Sequence, residues 1–261
     1  MADWIIPLGT GSISNNDEIR LLLRSLERHA KNLGRVVVVG DAIPEWLTNV
    51  EIVKRGDPLP ANKDGNMIDK VLTACKELDI KSFVFSADDN IILQDIDCDD
   101  IPILRTTRTQ EDFMPKAEGG KLDWNRWRQR VYHTFWLAQE LGMPMQYDFE
   151  SHAPQLYKDS AMLIDGMRKI KYHSGLGYTI CSAFRIVEGL AQGKPIEGMP
   201  HKECKITWED KDKITAPKKN HIFGGYNDSA FVSGVKDWLF AIFPQASKYE
   251  LDGGIAIYDK R

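Results

Sequence analysis

An apolar run that ends abruptly in two carboxylates constrains this chain more than any other stretch. Ser82-Phe83-Val84-Phe85-Ser86-Ala87-Asp88-Asp89-Asn90 follows a helical segment and reads as a buried parallel strand. Open α/β sheets bind ligands just beyond the carboxyl ends of their strands. Two acids at that point, Asp88 and Asp89, can hold a divalent cation, and the cation can hold a diphosphate.

The surrounding pattern agrees with an α/β sheet. Trp4 to Leu8 is a short apolar run, Arg35-Val36-Val37-Val38-Val39-Gly40 is apolar throughout, and Val50 to Val53 reads as a third strand. Between the first two, Ile19, Leu22, Leu23, Leu26, Ala30 and Leu33 recur at helical spacing. Asn16 or Asp17 can cap that helix. Asn66 to Leu78 reads as the helix feeding the acidic strand, with Lys63, Asn66 and Lys70 to one side near its start. Further helices are expected over 121–141, 159–169, 179–192 and 229–243, and a strand over 205–208. The expectation is a Rossmann-like, mostly parallel sheet flanked by helices, with a helical C-terminal elaboration. Residues 1–145 would form the nucleotide-binding part and 146–261 an acceptor-side part packed on it.

With 261 residues, 43% hydrophobic and 28% charged, the chain can bury a real core. A formal net charge of -4 lacks the broad basic footprint of a duplex-binding protein, though a local basic groove would be hidden in that sum. Cys75, Cys98, Cys181 and Cys204 are widely spaced with no CxxC pair, so they read as reduced thiols and not as a zinc site. Met1 to Pro7 has no basic region followed by a long apolar segment, and no apolar run reaches the roughly 20 residues of a membrane span. A cytoplasmic protein is expected.

Several residues could serve a ligand at the strand ends. Gly9-Thr10-Gly11 follows the first strand and is neither GxGxxG nor a Walker motif; it is a phosphate-binding loop or a plain turn. Arg20 lies in the first turn of a helix, where a cation opposes the dipole, so it calls for a partner such as a phosphate or Glu18. Asp41 ends the second strand, where a donor base or ribose could sit, or it is a turn acid. In Tyr147-Asp148-Phe149-Glu150-Ser151-His152-Ala153-Pro154, Glu150 and His152 would share one face of an extended segment and could supply a base or a metal ligand. The Asp95–Asp100 run is read as a solvated loop. Trp124, Trp127 and Trp136 with Arg126, Arg128 and Arg130 could face nucleic acid, but their apolar spacing favours core packing.

Five short blocks in order resemble the Stealth-type capsular polysaccharide transferases and related bacterial and phage glycosyltransferases. They are Asn15-Asn16-Asp17-Glu18-Ile19-Arg20 with Leu23-Arg24-Ser25-Leu26, Val37–Asp41 with Pro44-Glu45-Trp46-Leu47, Phe83–Asn90, Phe149–Pro154, and Phe243-Pro244-Gln245-Ala246-Ser247-Lys248-Tyr249-Glu250. Ala87 and Asn90 depart from the family pattern around the paired acids. The resemblance implies a GT-A-like fold and a metal-dependent glycosyltransferase using a nucleotide sugar, foremost a UDP-sugar, with Mn²⁺ or Mg²⁺. It implies that Asp88 and Asp89 bind metal and diphosphate, that Asn16 and Arg20 lie near the donor, and that His152 lies near the reacting groups. Gly9, Gly11, Asp41 and Lys70 complete the expected donor contacts, and Asp89, Glu150 and His152 the catalytic set. The acceptor would be a saccharide. Alternatives are sugar-phosphate transfer, glycosylation of modified DNA bases, and a sugar-binding module without turnover.

Overall fold

The computed structural model describes residues 1–12, 14–118, 121–123, 125–170, 177–209 and 214–251. The main elements in chain order are β1 (Ala2–Pro7), α1 (Asp17–His29), β2 (Leu33–Val39), β3 (Glu51–Val53), α2 (Lys63–Glu77), β4 (Phe83–Phe85), β5 (Asn90–Ile92), α3 (Arg126–Glu140), β6 (Gln155–Tyr157), α4 (Ser160–Lys169), α5 (Ile180–Gln192), β7 (Lys205–Trp208), β8 (Phe223–Tyr226) and α6 (Lys236–Ile242). Trp124 lies outside the described residues, as do most of the link before α5 and part of the charged stretch after β7.

The central sheet has the order β3-β2-β1-β4-β6. β1 pairs in parallel with β2 and with β4, and β2 pairs in parallel with β3; only the edge strand β6 is antiparallel. The chain builds outward from β1 to β3, then returns to place β4 on the other side of β1. That reversal opens a crevice at the carboxyl ends of β1 and β4. β6, from beyond residue 145, belongs to this same sheet.

Both faces of the sheet are covered, which is why its central strands carry apolar side chains on both faces. Trp4 and Ile6 of β1 and the following Leu8 pack with Val36, Val38 and Val84 against Ile19, Leu22, Leu23 and Leu26 of α1. Ile5, Val37, Phe83 and Phe85 face the other way, onto Ile68, Val71 and Ala74 of α2 and onto α4 and α5. Each fully buried aliphatic side chain of this kind stabilises the fold by about 2 kcal/mol before entropy is counted. A second, three-stranded sheet, β7-β8-β5, leaves the carboxyl end of β4, with β7 and β8 parallel and β5 antiparallel to β8. Leu21, Ile91, Trp208, Phe231 and Leu239 form its core with α6.

The structure corrects several expected boundaries. α2 begins at Lys63, three residues earlier than expected, because Asn62 caps it by accepting the Gly65 N–H at 3.0 Å. Asn66 turns instead to the preceding loop, accepting from Leu59 N–H and donating to Leu59 O. α3 starts only at Arg126, capped by Asn125, while Lys121–Asp123 pairs antiparallel with Lys116–Glu118. The final helix is broken: Gly234 takes φ 135°, outside helical space, so only Lys236–Ile242 is regular α-helix. Asn16 adopts a left-handed conformation and its side chain caps nothing; Ser12 Oγ accepts the Asn16 N–H at 2.8 Å and donates to Glu18 at 2.8 Å.

An ion pair closes the chain end onto its beginning. Arg24 of α1 grips Glu250 with two hydrogen bonds of 2.8 Å and donates to Phe243 O at 3.0 Å. Glu250 also accepts from the backbone N–H and hydroxyl of Ser247 and from Arg20. Leu47 bridges to Glu250, and Arg20 lies 4.0 Å over the Trp46 ring. Burial would raise the Glu250 carboxyl, but the hydrogen bonds from Arg24, Ser247 and Arg20 win and hold it below its usual value. Arg24→Ala should therefore cost about 3 kcal/mol in urea unfolding at pH 7, because it leaves a buried carboxylate short of its main partner. The folded state holds Glu250 ionised below the unfolded value of about 4.3, so its contribution is present above that pH and lost as pH falls through the lower folded value. The difference between wild type and Arg24→Ala should narrow below about pH 4; an equal difference at acid pH would contradict this.

Candidate active site

The crevice at the strand reversal is built from four chain segments. Leu8 directly follows β1, and its carbonyl accepts a hydrogen bond from the buried Lys70 Nζ at 3.0 Å. Lys70 also pairs with Asp57 at 2.6 Å, so this lysine supports the strand end from below. Gly9 and Gly11 follow, both exposed; a Cβ at Gly11 would meet open space and one at Gly9 almost none, so packing does not demand glycine at either position.

Asp88 and Asp89 stand at the end of β4, half-buried. Burial, then Asp89, then Glu18 at the start of α1 push the Asp88 carboxyl up to about 7, with Lys63 opposing. Burial also raises Asp89, against the pull of Lys205 and Lys63. These are acids whose ionised forms lack a matching close cation. Asn90 fixes Asp89: its amide donates to Asp89 Oδ1 at 3.1 Å and to His152 O at 3.2 Å, and its oxygen accepts from Ser86 Oγ at 3.3 Å. Tyr226 of β8 feels both carboxylates, and its buried hydroxyl has no hydrogen-bond partner among the described residues.

From Asp89 a cleft of about 690 Å³ runs toward Thr106–Arg108 and His201–Lys205. His152, Tyr226 and Asp228 line it as well. A smaller cavity of about 300 Å³ lies between Met143–Tyr147 and Pro195–Glu197 and holds none of the candidate residues.

Glu150 and His152 do not share a strand face. The segment is not a strand, and His152 takes φ 47°, which breaks the alternation. His152 opens into the cleft, whereas Glu150 turns inward and accepts the N–H groups of Cys181 at 2.6 Å and Ser182 at 3.4 Å. An acid there completes the N-terminus of α5. Burial, with Asp64 and Asp148 nearby, raises Glu150 well above its ordinary value. Burial likewise raises Asp148 to about 6, although Ser182 Oγ donates to it at 2.8 Å.

The remaining candidates lie elsewhere. Arg20, for which a phosphate or Glu18 was the expected partner, pairs with Glu250 at 2.6 Å and with Asp17, one turn earlier on α1, at 3.3 Å. Asn16 stands half-buried at the head of α1, and Asp41 is exposed after β2, its carboxylate against Gly56. Trp127 packs edge-on to Phe113, and Arg130 pairs with Asp64 at 2.6 Å, so part of the Trp/Arg helix is committed to the interior.

Lys63, Arg108, His201, Lys202, Lys205 and Tyr226 were not singled out for the site by sequence pattern. Lys205 is buried, donates to Ser151 O at 2.9 Å and is brought down to about 8 by burial, with Asp89 opposing. A lysine in an apolar strand is a signal of sorts, but its partners are remote in sequence. Among the described residues no group of three or more His, Cys, Asp or Glu forms a self-sufficient metal site, and no helix is long and apolar enough to cross a membrane. All four cysteines are free and buried.

No family model and no curated protein matches the chain. Among solved structures, the apo form of WbbM, a bifunctional glycosyltransferase, superposes with a TM-score of 0.45 at 13% identity, over 79% of this chain and 40% of that one. The chain therefore spans less than half the length of that neighbour.

Desolvation by the surrounding cleft walls, although the residue keeps exposed surface, then Lys205, Lys63, His201 and Arg108, push His152 down to about 4. Its imidazole should titrate in NMR spectra with a midpoint near 4, against about 6.5 in the unfolded chain. Between those values only the unfolded state takes the proton, so His152 lowers stability as pH falls from 6.5 to 4. His152→Asn, which tolerates the positive φ, should flatten that acid-side loss. A midpoint near 6.5 would contradict the assignment.

Proposed function

We propose that the chain is a glycosyltransferase that uses a nucleotide-sugar donor and a divalent cation, Mn²⁺ or Mg²⁺, held by Asp88 and Asp89. The observation that supports this most is the position of the two acids: adjacent, half-buried, at the end of β4 beside the strand reversal, with Asp89 lining a large cleft. Magnesium is commonly held by one or two carboxylates plus substrate phosphates, which suits a pair of acids without a third protein ligand. The orphaned Tyr226 hydroxyl beside them also fits a site completed by ligand atoms.

When bound, the cation supplies charge neutralisation for the departing diphosphate. The chain's own residues do the rest. Gly9 and Gly11 leave the backbone open to a phosphate at the end of β1. Lys63 stands at the N-terminus of α2, where the helix dipole and the ammonium both favour an anion. As the anomeric carbon forms its bond to the acceptor oxygen, the bond to the diphosphate breaks and its electron pair leaves with the nucleotide. The acceptor hydroxyl proton goes to the neutral imidazole of His152, which faces the cleft. Glu150 serves this step indirectly, by fixing the segment that carries His152 to α5. The resemblance of the Phe83–Asn90 and Phe149–Pro154 blocks to Stealth-type transferases agrees with this assignment of roles; transfer of sugar phosphate from the same donor is the second reading it allows.

A panel of nucleotide sugars with and without Mn²⁺ tests the proposal by thermal shift. One donor, expected to be a UDP-sugar, should raise Tm only with the cation, and Asp88→Ala should abolish the shift while leaving the protein folded. Saturation at 100 times Kd corresponds to about 2.7 kcal/mol of added stability. A flat response of the folded wild-type protein to every donor would overturn the proposal.

A further inference from the structure

The cleft is electrically divided, and the proposed transfer uses only one end. Asp89 and Asp228 make one end acidic, with Asp88 and Glu18 behind it: Glu18 raises Asp88 and Asp228 raises Asp89. The other end carries Arg108, His201 and Lys202, and lies toward His152. Of the cations, Lys63 acts on Asp88 and Lys205 and Lys63 act on Asp89, whereas His152 also feels His201 and Arg108. Lys205 thus stands between the two ends, and Arg108 and His201 belong to the far one.

These far cations are not spent on the fold. Arg108 and Lys202 are exposed, and neither has a hydrogen bond from its side chain or an ion pair among the described residues. The Arg108 guanidinium lies 5.9 Å from the Phe113 ring centre and 5.8 Å from that of Trp127, which limits its wandering without satisfying its donors. Thr106 Oγ1 accepts the Arg108 N–H at 3.0 Å and holds the backbone there. Of the acids in this half, Glu150 takes the α5 N-terminus and Asp148 takes Ser182 with one carboxylate oxygen; among the described residues the other Asp148 oxygen is buried without a hydrogen bond, and Arg108 acts on this carboxylate through space, without an ion pair. Glu209 is the exposed exception, and it acts on Lys205.

Building on the proposed transferase reading, we infer that the far end of the cleft is a subsite for a phosphate group carried by the acceptor, held by Arg108 and Lys202 next to His152. A guanidinium and an ammonium without internal partners, facing a polar cleft, form a phosphate-recognition pair. A metal-bound diphosphate at Asp88 and Asp89 has no need of them. The acceptor class is a phosphorylated saccharide. Nucleic acid fits less well, because Trp127 is packed against Phe113 instead of standing free to stack on bases, and the chain carries net negative charge.

Calorimetry on the full chain without divalent cation tests this, with glucose 6-phosphate, inorganic phosphate, glucose and a single-stranded oligonucleotide as probes. Glucose 6-phosphate and inorganic phosphate should bind, and glucose should not. The exposed pair Arg108→Ala/Lys202→Ala, with its melting temperature checked against wild type, should weaken phosphate binding at least tenfold, while Asp88→Asn should leave it unchanged. Equal binding to wild type and the double variant, loss of binding in Asp88→Asn, or no binding at all would overturn the inference. Salt-sensitive binding of the oligonucleotide without binding of glucose 6-phosphate would overturn it in favour of nucleic acid. A donor thermal shift that persists while phosphate fails to bind defeats this inference alone. Phosphate binding without any donor response leaves the anion subsite standing and defeats the transferase reading.

Discussion

Parallel pairing of β1 on both of its edges governs the rest of the molecule. Because β2 and β4 both run alongside β1 in the same direction, each connection must cross a face of the sheet, and helices α1 and α2 cover opposite faces. Burial on both faces then requires apolar side chains on both sides of the inner part of each strand, as in Trp4–Ile6, Val36–Val39 and Phe83–Phe85. Polar groups are expelled to the carboxyl ends, and there the order reverses between β1 and β4. The paired acids after β4, the glycine loop after β1 and the basic start of α2 meet at one edge for topological reasons.

The charge arrangement at that edge follows from two further devices. The β7-β8-β5 sheet grows from the residue after the acids and carries Lys205 and Tyr226 back over the crevice. The segment before β6 is anchored from behind, with Glu150 on the α5 N-terminus and Asp148 on Ser182, so that His152 is presented to the cleft in a left-handed turn. A neutral imidazole between an acidic and a basic end is a consequence of those anchors.

The sheet was legible in the sequence because a two-sided parallel strand leaves a continuous apolar run, as in Val36–Val39 and Phe83–Phe85. Helix starts were less so. Asn62 and Asn125 capped where apolar spacing alone pointed elsewhere, and Gly234 broke a helix that periodicity favoured. The paired acids were visible as a local pattern. Arg108 and Lys205 were not, since their partners are set by tertiary contacts. The motif-like blocks at Arg20–Leu26, Pro44–Leu47 and Phe243–Glu250 turn out to touch one another: Arg20 and Arg24 on Glu250, Trp46 under Arg20, Leu47 bridged to Glu250. A motif in sequence can mark a clasp as readily as a binding site, and Arg20 was the residue where the two readings diverged.

The central claim is that the crevice at the strand reversal holds a cation together with a diphosphate. Paramagnetic broadening of backbone amide signals by Mn²⁺ in the presence of UDP addresses it directly. Signals from Leu8 to Gly11, Ser86 to Asn90 and His152 should be lost selectively, with the Asp95–Asp100 run unaffected at the same Mn²⁺ concentration. Broadening centred on Asp95–Asp100, or uniform weak broadening with no response at Asp88 and Asp89, would contradict it.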